Sequence, residues 1–210
     1  MDGCTMGKDS YLVSTIVGRL LRKICKAISY KEFYTKELVA CTLDNYLKKI
    51  LQELFSEIKV IKNQLQLERE ELLTTLIILL ADKEADNGIV LAVGDGVVAV
   101  NGVLTSFDQD NRPDYLGFHL SSDFEDWYHS QQQRIIIDTL QDISIATDGI
   151  ESFTKLATPA NEESIDPIAF LLHDSTGAGN EEMLHMKLKT LEHQYGLNHT
   201  DDLAVIRLVR

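Results

Sequence analysis

The change of hydrophobic rhythm at Leu72 constrains this fold more than any other feature of the chain. Upstream of it, apolar residues recur every three or four positions, the period of a helix with one buried face. Across residues 11–28 that face is Leu12, Ile16, Val17, Leu20, Leu21, Ile24 and Ile28, with Asp9 or Ser10 placed to cap the helix start. Across residues 42–71 it is Leu43, Leu47, Ile50, Leu54, Ile58, Ile61 and Leu65. That second stripe fits either a dimeric coiled-coil seam or a helix lying on a sheet. It lasts only about three heptads, which favours the sheet.

Downstream, the apolar residues are β-branched and come in short runs punctuated by turn residues. Residues 72–80, 88–93, 97–100, 103–107, 134–138, 143–146 and 203–209 read as strands. Gly94-Asp95-Gly96 reads as a tight hairpin between two of them, and Asn101-Gly102 as the next. Residues 134–138 and 143–146 look like another antiparallel pair. Residues 117–133 look irregular, residues 150–156 begin a short helix, and residues 181–195 form an amphipathic one. Helices grouped apart from antiparallel strands predict an α+β fold, not alternating βαβ units, and 210 residues suit one sizeable domain or two small ones.

Composition narrows the function classes. Net charge is −13, with a pI near 4.8, which argues against a nucleic acid as the main partner. The basic residues Arg19, Arg22, Lys23, Lys26 and Lys31 gather on the first helix and read as a solvated face more readily than a binding stripe. The longest apolar run, residues 76–81, falls far short of the roughly 20 residues of a membrane span, and no signal peptide is visible. Cys4, Cys25 and Cys41 are an odd set without metal spacing, so a reducing cytoplasm is the expected location. The glycines around Lys8 do not make a phosphate-binding loop: the spacer is short and no strand precedes it.

Three aspartate corners remain. Asp2-Gly3 opens the chain, Thr147-Asp148-Gly149 ends an apolar strand, and Asp201-Asp202 comes directly before the last strand. Each alone is an ordinary turn. Together they suggest acids converging on a cation. Two ionised carboxylates about 4 Å apart repel by roughly 4 kcal/mol at an effective dielectric near 20. Such a cluster protonates, splays or binds a hard, oxygen-seeking ion. No Ser-His-Asp or Cys-His arrangement competes, and the six histidines lack zinc-binding spacing.

In order, Asp2-Gly3, Gly94-Asp95-Gly96, Asp108-Gln-Asp110-Asn-Arg-Pro113, Ala146-Thr-Asp148-Gly149 and Thr200-Asp201-Asp202-Leu-Ala-Val205 resemble the metal-dependent serine/threonine phosphatases of the protein phosphatase 2C type. The resemblance covers nearly the whole chain. It implies a single domain over residues 1–210, a four-layer αββα sandwich of two antiparallel sheets flanked by helices. It also implies two manganese or magnesium ions, with a third in some members. The implied ligands are Asp2, bridging both ions, the Gly3 carbonyl, Asp148 and Asp201, with Asp110 at the third ion and Asp202 as the fallback for Asp201. The nucleophile is then a metal-activated water, with no side chain in that role, and the substrate is a phosphorylated protein. The family's upstream acid and arginine have no counterpart here, which implies an N-terminally shortened member. The alternative is a catalytically impaired phosphatase-like module that binds a partner.

Overall fold

The computed structural model describes residues 1–3, 10–35, 42–107, 114–156 and 164–210. Asp110 therefore lies outside the described residues, as do Cys4, Lys8, Asp9, Cys41 and Arg112. The chain forms two compact units. The first is Met1–Gly94 with Gln109–Asp138; the second is Asp95–Asp108 with Thr139–Arg210.

The first unit is built on helices α1 (Ser10–Thr35) and α2 (Leu43–Leu65). Strands β1 (Leu76–Asp82), β2 (Asn87–Val93) and β5 (Arg134–Ile137) make its antiparallel sheet, in the order β1-β2-β5. The expected stripe of α2 is the one that is buried: Leu47, Ile50, Leu54 and Ile58, joined by Leu51 and Phe55. It shares a core with Val17, Leu20 and Ile24 of α1 and with Leu76, Ile89 and Leu91 of the sheet. The helix lies on a sheet, as its length suggested. Thr42 caps α2 by accepting from the Asn45 amide at 3.2 Å. Gln66, at φ 54°, closes the other end, so the helix stops well short of residue 71.

Residues 117–133 are more regular than their composition suggests. They hold most of the short helix α3 (Leu116–His119) and all of α4 (Phe124–Ser130), which puts Trp127 and Tyr128 into the core. The Tyr128 hydroxyl donates to Asp44 Oδ1 at 2.8 Å, and Arg134 reaches the same oxygen at 3.0 Å. Burial, followed by the bond to Asp44, pushes that hydroxyl far above its ordinary range. This clasp ties the start of α2 to α4 and β5.

The second unit holds a four-stranded antiparallel sheet in the order β4-β3-β6-β9. Its strands are β3 (Gly96–Val100), β4 (Val103–Phe107), β6 (Asp142–Ala146) and β9 (Val205–Val209). Between β6 and β9 come β7 (Phe153–Lys155), α5 (Pro167–Leu172), α6 (Met183–Tyr195) and β8 (Leu197–His199). Strands β7 and β8 pair as a separate two-stranded ribbon. Leu171, Leu172 and Leu191 of the helices pack with Val97, Ala99, Ala146 and Ile150.

Three expectations are corrected. Gly94-Asp95-Gly96 is no hairpin, because β2 pairs with β1 and β5 while β3 pairs with β4 and β6. Its glycines, at φ 89° and 150°, turn the chain from one sheet into the other. Strands β5 and β6 likewise belong to different sheets. Residues 150–156 are not a helix but the end of a 3-10 turn (Asp148–Glu151) followed by β7. No helix among the described residues is long and apolar enough to cross a membrane.

Candidate metal centre

Strand β6 is buried from Ile143 to Ala146, and this fixes where the Asp148 corner emerges. Thr147 stays extended, and the chain then tightens into the 3-10 turn Asp148–Glu151. Facing it is the stretch from β8 into β9 that carries Asp201 and Asp202. The two segments are stitched together through their backbones. The Thr147 amide donates to the Ala204 carbonyl at 3.0 Å. The Thr147 hydroxyl donates to the Asp202 carbonyl at 3.0 Å and accepts from the Ala204 amide at 2.9 Å.

Ser152 completes the joint. Its hydroxyl donates to the Gly149 carbonyl at 2.7 Å and accepts from the amides of Thr200 and Asp201, at 3.0 and 3.1 Å. The Thr200 hydroxyl returns a bond to the Ser152 carbonyl at 3.1 Å. Gly149 lies so close that a Cβ built on it would stand 2.3 Å from the Asp202 carbonyl oxygen. Only glycine fits. Gly149→Ala is therefore expected to destabilise the chain by about 1–3 kcal/mol through overpacking against backbone. It also displaces the Asp201 corner from Asp148. A urea titration within 0.5 kcal/mol of wild type, on the scale of ordinary surface substitutions, contradicts this contact.

The result is two carboxylates held in one neighbourhood. Asp148 is half-buried, and its Oδ1 is buried with no hydrogen-bond partner. Its carboxyl is pushed above the ordinary carboxylate range, first by burial and then by the negative charge of Asp201. Asp201 is exposed, and one of its oxygens accepts from the Asp202 amide at 2.8 Å. A buried, unsatisfied carboxylate oxygen beside a second acid is costly in a bare protein and suits a divalent cation that takes oxygen ligands. The residues present fit a magnesium- or manganese-type ion.

The remaining predicted ligands stand elsewhere in the chain. Asp2 and Gly3 belong to the first unit, pinned beside the start of β1. The Asp2 amide donates to Thr75 Oγ1 at 3.0 Å, and its carbonyl accepts from the Thr75 amide at 2.9 Å and the Thr74 hydroxyl at 2.6 Å. Its carboxylate accepts from the Gly3 amide at 2.8 Å, and Gly3 bridges to Thr74. Asp202 contributes its carbonyl to the joint. Among the described residues no three carboxylates, imidazoles or thiolates form a ready-made cage.

Sequence reasoning missed Thr147, Ser152 and Thr200, the hydroxyls that hold the two acids in place. Each looks like a routine turn residue. The available signal was their clustering within a few residues of both aspartates.

Comparison with known proteins agrees with this architecture. Among curated proteins none matches the chain in sequence. The solved structure of "PppA, a key regulatory component of T6SS in Pseudomonas aeruginosa" superposes with a TM-score of 0.50 at 16% identity, covering 98% of this chain and 82% of that one. At that identity it shows the fold alone: an α+β arrangement of antiparallel sheets and helices. The sequence profile described as protein phosphatase 2C matches residues 1–190. With nine-tenths of its length matched, this chain belongs to the protein phosphatase 2C family.

Proposed function

We propose that this chain is a single-domain, cytoplasmic phosphoprotein phosphatase that hydrolyses phosphoserine and phosphothreonine with manganese or magnesium. The observation that carries the reading is the buried, unpartnered Asp148 oxygen held beside Asp201. In this reading Asp148 and Asp201 would hold one ion, and Asp2, the Gly3 carbonyl and Asp110 would be the further metal ligands that the family resemblance implies. Bound divalent cations supply a water acidic enough to attack phosphorus and neutralise charge on the phosphoryl oxygens.

The protein's own part is positional. Ser152 and Thr147 hold the Asp201 corner against the Asp148 corner, so both carboxylates are set before any ion arrives. Burial keeps water from Asp148 Oδ1 and leaves that oxygen available as a ligand. No side chain has to act as nucleophile.

A second reading is a phosphatase-like module that regulates a partner without turnover. The neighbouring structure supports it, being described as a regulatory component. Hydrolysis of a phosphothreonine peptide, with manganese and with a chelator, separates the two. Turnover that needs the metal is expected. A folded chain that binds manganese but releases no phosphate overturns the enzyme reading and leaves the module.

A further inference from the structure

Helix α1 has an outer face that folding does not explain. Its inner face, Val13, Val17, Leu20, Ile24 and Ile28, is already buried in the core. On the outside, Arg19, Arg22 and Lys26 are exposed at steps of three and four, so they share one stripe. Lys23 is paired with Glu57 at 2.7 Å, but those three make no ion pair among the described residues. The stripe then runs into Tyr30, Phe33 and Tyr34. Their rings contact one another, with centroids 4.5 Å apart for Tyr30–Tyr34 and 5.4 Å for Phe33–Tyr34. Yet they are 66, 78 and 64% exposed. Three large rings left in water beside three cations with no ion pair among the described residues, on a helix with its inner face docked, mark an interaction surface.

We infer that the Arg19-Arg22-Lys26 stripe with its Tyr30-Phe33-Tyr34 end is a docking site for a short acidic segment of a partner protein. Such a segment carries carboxylates for the cations and a leucine or aromatic residue for the rings. Charge decides the occupant. The helix carries five basic residues and one acid, in a chain of net charge −13. A membrane or duplex is an extended polyanion, which a chain of net charge −13 repels as a whole. A short peptide is confined to the basic stripe, which is about 21 Å long from residue 19 to residue 33 at 1.5 Å per residue. Tyr and Arg are also the residue types that dominate the energy of protein interfaces.

The probe is a fluorescein-labelled peptide of about 16 glutamates and leucines, patterned so that a helix presents both to one side. Its anisotropy is followed against the full chain at about 50 and 300 mM salt, where screening differs strongly. Saturable binding is expected, weakening about tenfold between the two salt concentrations. The double variant Arg22→Glu/Lys26→Glu is expected to bind at least about tenfold more weakly, and Phe33→Ala several-fold more weakly. Both should melt at the wild-type temperature, because these side chains are exposed. Arg22→Gln/Lys26→Gln should fall between wild type and the charge reversal. Absence of saturable binding overturns the inference. So does equal binding by the charge-reversed variant. Preferential capture by vesicles of anionic phospholipid makes the surface a membrane contact and also overturns it.

Discussion

Asp148→Asn is expected to remove manganese-dependent hydrolysis while making the metal-free chain more stable. The two effects share one cause. Loss of a residue that merely orients a metal ligand costs about 10–100-fold, so loss of the ligand should cost about a hundredfold or more in turnover. Stability moves the other way. Asp148 is held above its ordinary range by burial and by Asp201, so its ionised form opposes folding. A group raised in this way gives its full contribution below the unfolded value and loses it as pH rises through the folded value. The metal-free chain should therefore lose stability on that rise, and Asp148→Asn should not. Thermal melts in chelator across that range, with peptide hydrolysis in manganese alongside, check both halves. A variant that melts lower than wild type at neutral pH contradicts the buried-acid account, and one that retains activity contradicts the ligand assignment.

Arg207→Ala should be the most damaging substitution away from the aspartates. The Arg207 side chain is only 1% exposed. It grips Asp142 with two bonds, Nε to Oδ1 at 2.9 Å and Nη2 to Oδ2 at 2.6 Å. It also donates to the carbonyls of Leu171, His173 and Asp174, where α5 ends. One guanidinium thus fastens β9, β6 and the end of α5. Nearby, Lys187 donates to Asp174 Oδ1 at 2.7 Å and to the Phe170 carbonyl at 2.8 Å. Its bond is the first cause holding the Asp174 carboxyl below the ordinary range. Truncating Arg207 leaves the Asp142 carboxylate and the Leu171 and His173 carbonyls short of donors, at a cost of about 3–5 kcal/mol. Arg207→Lys should recover only part of this, since an ammonium cannot match the planar fork. Urea titrations with an unchanged slope are the measurement, and a loss below about 1 kcal/mol would make this an ordinary surface pair.

Much of this was legible in the chain because period is a local signal. The α2 stripe and the runs at β2, β3, β6 and β9 announced themselves. Pairing did not. A strand such as β3, buried almost throughout, carries no mark of which neighbour it will take, so Gly94-Asp95-Gly96 looked like a hairpin. Strands β7 and β8 have three residues each, too short for any alternation to register. At the candidate site, the order of the aspartates pointed to Asp148 and Asp201. Their attachment through Ser152, Thr147 and Gly149 depends on backbone contacts across about fifty residues, which no local pattern encodes.

The interleaving of the two units has a consequence for synthesis. Strand β3 is finished by Val100 and β4 by Phe107, yet their sheet waits for β6 and is not complete until β9, at the end of the chain. At about 5–20 residues per second on the ribosome, the β3–β4 hairpin waits roughly 2–8 s for its partner β6, and the sheet roughly 5–20 s for β9. Throughout that interval an apolar edge is unpaired in a crowded cell. Neither unit is a contiguous stretch of chain, so neither can be released early by truncation or produced alone by cutting the gene once.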